Sequence, residues 1–164
     1  CAYLGSLKSY KFIWEAIEDN EIYMVAKEAG IESAKAISKL DGLSFHELEG
    51  YINDLLRRYS NKHLGDQIER VARDPIRKLS PGERLIGSAM YCLKAGITPE
   101  NISIGIAGAI FYNGDDESSQ KLKQIKNLNG IEGTLKEICQ VRETSPLFNL
   151  IMEAIRKLKD KNWL

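Results

Sequence analysis

The sequence has no surplus of charge: 23 lysines and arginines balance 23 aspartates and glutamates. A neutral chain argues against a nucleic-acid binder or a membrane-surface protein, because both need a basic excess. Long apolar runs are missing too. The longest, such as residues 102–111, are far too short to cross a bilayer. Only three cysteines occur, Cys1, Cys92 and Cys139, an odd number at wide spacing. That excludes a disulfide framework and suits a reducing cytoplasm. The two histidines, His46 and His63, form no spaced set with cysteines or carboxylates, so no metal site is expected. No signal peptide is expected ahead of the fold. The opening Cys1-Ala2-Tyr3-Leu4-Gly5, without an initiator Met, reads as part of a longer chain.

Alternating apolar and polar runs are almost absent, which removes half-buried strands. No glycine-rich turn links a strand to a helix, so no phosphate cradle for a nucleotide is expected. What remains is helical periodicity throughout residues 1–164, the length of a single domain. The fold class is all-α, one multi-helix globule.

Leu7, Tyr10, Ile13, Trp14 and Ile17 repeat at three and four, which predicts one helix with a single buried face. A longer helix is expected over residues 21–40, with Ile22, Val25, Ala29, Ala36, Ile37 and Leu40 inward and a stop at Asp41-Gly42. Ser44 and Glu47 have capping-box spacing ahead of a stripe of Leu48, Tyr51, Ile52, Leu55 and Leu56. A short helix follows over residues 66–74, with Ile68 and Val71 inside. Ser80-Pro81, Thr98-Pro99 and Ser145-Pro146 share one device, a capping hydroxyl followed by a proline at the first helical position. They predict helices over residues 81–95, 99–112 and 146–159, the first closed by Gly96. Leu122, Ile125 and Leu128 mark another helix, and Leu135 with Ile138 a shorter one. Gly105 and Gly108 are expected to admit a neighbouring backbone.

One stretch stands out. In "VARDPIRKLSPGERL" the cations Arg73, Arg77, Lys78 and Arg84 crowd around two prolines. One reading is a solvated connection, with Arg73 meeting the negative end of a helix. The other is an anion site. Pro75 and Pro81 stiffen the link, and a helix opening at Ser80-Pro81 would turn its free N–H groups toward the cations. Arginine grips a phosphate or carboxylate with two hydrogen bonds, and lysine adds a point charge. The geometry suits one small anion. These residues alone do not name the ligand, and they include no nucleophile or catalytic base.

The stretch "AYLGSLKSYKFIWEAIEDNEI" resembles a segment of the mannitol-1-phosphate 5-dehydrogenases, within the polyol-specific long-chain dehydrogenases. "RRYSN", "LGDQIERVARDPIRKLSPGERLIG" and "GIAGAIFYNGDDE" are similar to that family's later motifs, and the likeness holds in register over roughly the first 120 residues. Tyr59 and Lys62 stand where the family pattern has phenylalanine and proline, and Ser9 where many relatives have glycine.

The resemblance implies that residues 1–164 are the helical substrate-binding domain of a zinc-independent, cytoplasmic oxidoreductase of mannitol metabolism. Its fold would be like the C-terminal domain of 6-phosphogluconate dehydrogenase. An N-terminal Rossmann domain would bind NAD and be this domain's partner. The reaction would interconvert mannitol 1-phosphate and fructose 6-phosphate by hydride transfer. The family's Lys, Asn and His motif falls upstream of Cys1, so no catalytic residue is assigned, and this chain alone is expected to be inactive. The resemblance carries substrate binding onto Arg77, Lys78 and Arg84, followed by Arg73. Tyr3 and Leu4 are expected to pack, and an apolar patch near the N-terminus to receive the Rossmann domain. Two alternatives stay open: the same chemistry on a hexuronate or unphosphorylated polyol, and a helical interaction module with no enzymatic role.

Overall fold

The computed structural model describes residues 1–164, which form ten α-helices and no β-strand. The chain runs through α1 (Ala2–Leu7), α2 (Ile13–Glu18), α3 (Asn20–Asp41) and α4 (Phe45–Tyr59). After a 3-10 turn at Lys62–Leu64 come α5 (Ile68–Ala72), α6 (Pro75–Leu79) and α7 (Ile86–Lys94). Then follow α8 (Glu100–Ile110), α9 (Glu117–Glu137) and α10 (Pro146–Asp160). No helix is long and apolar enough to cross a membrane.

Helix α8 is the axis. Ile102, Ile106, Ala107, Ala109 and Ile110 are all buried, because α10, α3, α1, α6 and α7 pack around it. A smaller cluster of Ile17, Ile31, Ala34, Ile52 and Leu56 seats α4 on α2 and α3.

Several ends form as the sequence predicts. Gly42 stops α3 with φ 73°, a left-handed conformation that glycine adopts without a Cβ clash. Ser145 Oγ accepts the Leu147 N–H at the start of α10. The two expected segments around Leu122 and Leu135 are the two arms of α9, bent at Gly130 with φ 68°.

Four expectations are corrected. The first predicted helix is broken in two, since Ser9 takes φ 61° and Phe12 is extended to bridge Gln67. On α4, Tyr51 is 64% exposed and not part of the buried stripe. Thr98-Pro99 does not cap α8 with a hydroxyl; Pro99 is the cap residue and the carboxylate of Glu32 accepts instead. Ser80-Pro81 does not open a helix. Residues 80–85 are a turn in which Glu83 N–H donates to Ser80 O (3.2 Å) and Leu85 N–H to Lys78 O (3.2 Å). Helix α7 begins only at Ile86, so the helix start expected at Ser80-Pro81 is displaced by five residues.

Candidate functional site

A cleft of about 550 Å³ opens between α1, α3, α4, α8 and the link from α5 to α7. Its lining is mostly apolar and includes Ala2 and Tyr3 from α1, Val25 and Ala29 from α3 and Ile52 from α4. Polar groups are few, which suits a pocket that orients a small ligand. They include Lys78, Arg84, Tyr59, Asn101, Ser33, Ser88 and one carboxylate, Asp66, which is paired with Arg70. A second cleft of about 590 Å³ adjoins it, sharing Ser33, Arg84 and Ser88. Arg84 therefore belongs to the rim common to both.

The four predicted cations have separate fates. Lys78 is buried, 9% exposed, with Nζ donating to Val71 O at 2.6 Å and lying 5.6 Å from the Tyr3 ring centroid. It has no carboxylate ion-pair partner. Burial lowers its pKa below the ordinary lysine value, and Arg84 and Arg77 add like charge. Arg84 is exposed and has no carboxylate partner either. Arg77 differs. Its Nε donates to Asp74 Oδ2 at 2.7 Å and Nη1 to Glu83 Oε2 at 3.4 Å. Arg73 is exposed on the α5–α6 link and lines neither cleft. The fold thus brings Lys78 and Arg84 to one cleft, holds Arg77 in a local ion-pair network, and leaves Arg73 outside.

Asp74 starts α6 in a left-handed conformation, with φ 59°. Its backbone N–H donates to Asp116 Oδ1 (3.2 Å), and Ile76 N–H donates to Ser118 Oγ (3.1 Å). The first turn of α9 therefore fixes α6, and α6 aims Lys78 at the cleft. Arg84 is set by close approach: a Cβ on Gly87 would lie 2.7 Å from the backbone of Gly82. Only glycine lets the turn carrying Arg84 lie against α7.

Tyr3 and Leu4 pack as expected, 8% and 0% exposed. The Tyr3 ring meets Tyr112 edge-on at 5.4 Å. Its hydroxyl is buried without a partner, and burial first, then the Tyr112, Asp116 and Asp74 charges, raises its pKa. It stays protonated at neutral pH. Lys8 is occupied elsewhere, paired with Asp19 and Glu21 and lying over Trp163. His46 and His63 are exposed.

The chemistry open to this cleft is recognition of an anion joined to a less polar body. The all-helical chain has no strand-to-helix glycine turn. Sequence reading missed Tyr59, Asn101 and Glu32. Glu32 left a trace, since it interrupts the apolar stripe of Val25, Ala29 and Ala36.

The family model described as the mannitol dehydrogenase C-terminal domain matches residues 1–158. The chain belongs to that family. Among curated relatives, a mannitol-1-phosphate 5-dehydrogenase of Clostridium acetobutylicum is 37% identical over 162 residues, covering 98% of this chain and 42% of the relative. One of Thermoanaerobacter pseudethanolicus is 38% identical over 161 residues, covering 97% of this chain and 41% of the relative. One of Caldanaerobacter subterraneus is 35% identical over 161 residues, covering 98% and 42%. The chain thus spans about two fifths of the length of these curated relatives. In this mannitol dehydrogenase C-terminal domain, the cleft that holds Lys78 and Arg84 is formed together with the N-terminal helix α1.

Proposed function

We propose that this chain is the substrate-binding domain of an NAD-dependent mannitol-1-phosphate 5-dehydrogenase of the cytoplasm. The observation that carries the proposal is the pairing of two cations without carboxylate partners, Lys78 and Arg84, on one apolar-walled cleft. Family membership and relatives of that name support it. A cation without an internal counter-ion is free to meet a substrate phosphate, and burial strengthens the contact by excluding water.

In this reading Lys78 supplies a fixed charge and Arg84 a two-pronged grip on the phosphate of fructose 6-phosphate or mannitol 1-phosphate. Arg77, neutralised by Asp74 and Glu83, contributes field and holds the turn in place; Arg73 adds only long-range attraction. NAD supplies the hydride acceptor and donor. It is assigned to a separate dinucleotide-binding domain, and the catalytic base to the family motif upstream of Cys1, so this chain alone is expected to be inactive.

The test uses the full-length enzyme. Lys78→Ala and Arg84→Ala should raise KM for fructose 6-phosphate about tenfold or more, as loss of a charge-assisted contact predicts, and leave fructose little changed. Equal losses on both ketoses would overturn the phosphate assignment. A preference for a hexuronate over fructose 6-phosphate would transfer the same cations to a carboxylate.

A further inference from the structure

Helix α8 presents one turn to the cleft through Asn101 and Gly105, four residues apart on one face. Gly105 is mid-helix, where glycine costs stability relative to alanine, and no packing calls for it. A Cβ at Gly105 meets nothing within 4 Å, whereas one at Gly108 would lie 2.9 Å from Leu4 Cδ2. The expected close approach of a neighbouring backbone is found at neither: at Gly108 the neighbour is the Leu4 side chain, and at Gly105 there is none. The missing side chain at Gly105 enlarges the cleft and nothing else.

Asn101 is the polar neighbour of that space. Its Nδ2 donates to Glu32 Oε1 at 2.8 Å, and its own backbone N–H donates to the same oxygen at 2.8 Å. Glu32 Oε2 accepts the Ile102 N–H at 3.0 Å, and the whole residue is 9% exposed. The carboxylate is thereby fixed by the start of α8, and it fixes the orientation of the carboxamide. One Nδ2 hydrogen is committed to Glu32, which leaves Oδ1 as the acceptor Asn101 has to offer beside the second Nδ2 hydrogen.

We infer that Asn101 and Gly105 form the wall against which the carbon chain of the substrate lies. Gly105 leaves room for the chain, and Asn101 Oδ1 accepts a hydrogen bond from a sugar hydroxyl. Glu32 is the positioning residue for Asn101. This assignment rests on the sugar-phosphate reading above, and it divides the cleft into a phosphate end at Lys78 and Arg84 and a hydroxyl wall on α8.

The experiment uses the full-length enzyme with Gly105→Ala, Gly105→Leu and Asn101→Ala. KM for fructose 6-phosphate and the inhibition constant of inorganic phosphate are measured together with Tm. Gly105→Leu should raise KM about tenfold or more, the scale set by misfitting a pocket by a few methylenes, while phosphate inhibition stays unchanged. Gly105→Ala should raise KM by less and raise Tm, and Asn101→Ala should raise KM without altering phosphate inhibition. Unchanged KM in a folded Gly105→Leu enzyme would overturn the inference, as would a parallel loss of phosphate inhibition. Gly105→Ala folds regardless, since its added methyl meets no atom, so unchanged KM there alongside a raised Tm also counts against the wall. Failure of the phosphate reading shows separately, as Lys78→Ala and Arg84→Ala enzymes that bind inorganic phosphate like the parent.

Discussion

The Glu32 carboxylate accepts the backbone N–H of Ile102 at 3.0 Å, joining α3 to the first turn of α8 across seventy residues of chain. Orphan N–H groups at a helix start usually turn to a neighbouring side chain or to water. Here a distant buried acid takes them, with the positive end of the helix dipole facing its charge. Glu32→Ala should lower the unfolding free energy by about 1–3 kcal/mol, because the N–H groups stay buried without a partner. A urea titration with an unchanged midpoint would show that the contact contributes nothing.

Gly87 offers a second check on how the cations are placed. Adding a methyl there drives it to 2.7 Å from Gly82 backbone atoms, which cannot rotate away. Gly87→Ala should destabilise the protein by about 1–3 kcal/mol and displace the turn carrying Arg84. Weaker fructose 6-phosphate binding should accompany the lower midpoint. Full stability in this variant would mean the turn moves freely.

Acid should loosen the junction of α6 and α9. Burial works against ionised Asp116, but hydrogen bonds from Ser119 and the Asp74 backbone outweigh it and hold its pKa below the ordinary value. Asp74 behaves likewise: burial is outweighed by bonds from Arg77 and Ser118. A carboxylate depressed in the folded state binds protons more weakly than in the unfolded chain. Its stabilisation is therefore complete above the unfolded value and disappears as pH falls through the folded one. Urea midpoints measured from about pH 6 to about pH 2 should fall on the acid side, and less steeply for Asp116→Asn. Identical slopes would disconnect Asp116 from acid unfolding.

Lys78 governs the alkaline side. Burial, with the like charges of Arg84 and Arg77, lowers its pKa, so it loses its proton before an exposed lysine does. Inhibition of the full-length enzyme by inorganic phosphate should weaken on that limb, followed from about pH 7 to about pH 10. Lys78→Arg, whose guanidinium keeps its charge, should carry inhibition to higher pH. Superimposable profiles would remove Lys78 from the phosphate end.

Cys92 and Cys139 are buried, and burial pushes their thiols up to about 11 and about 12. The reactive form is the thiolate, so both should resist an alkylating reagent at neutral pH and react after urea unfolding. Mass spectrometry of the folded protein with either cysteine modified would contradict this burial.

Periodicity and punctuation carried the all-helical class and several helices, but not the break at Ser9 or the start of α7. The stripe from Ile22 to Ala36, the stop at Gly42 and the start at Ser145-Pro146 are local, because spacing along a helix and left-handed glycine are set by neighbours in sequence. The cluster of Arg73, Arg77, Lys78 and Arg84 was equally visible as a candidate. Which of them share a cleft was not. Arg77 faces Asp74 and Glu83 because α6 is a single short turn held by Asp116 and Ser118, forty-two residues away. Likewise, the pairs Gly105 and Gly108 look alike in sequence, and only Leu4 on α1 tells them apart. Local pattern determines which residues are helical and which are charged; the long-range packing of α1, α3, α4 and α8 decides which cations are left facing a space. The counter-ions of Arg77 lie three and six residues away, but the cleft is walled by segments distant in the chain, and no local spacing encodes where those segments meet.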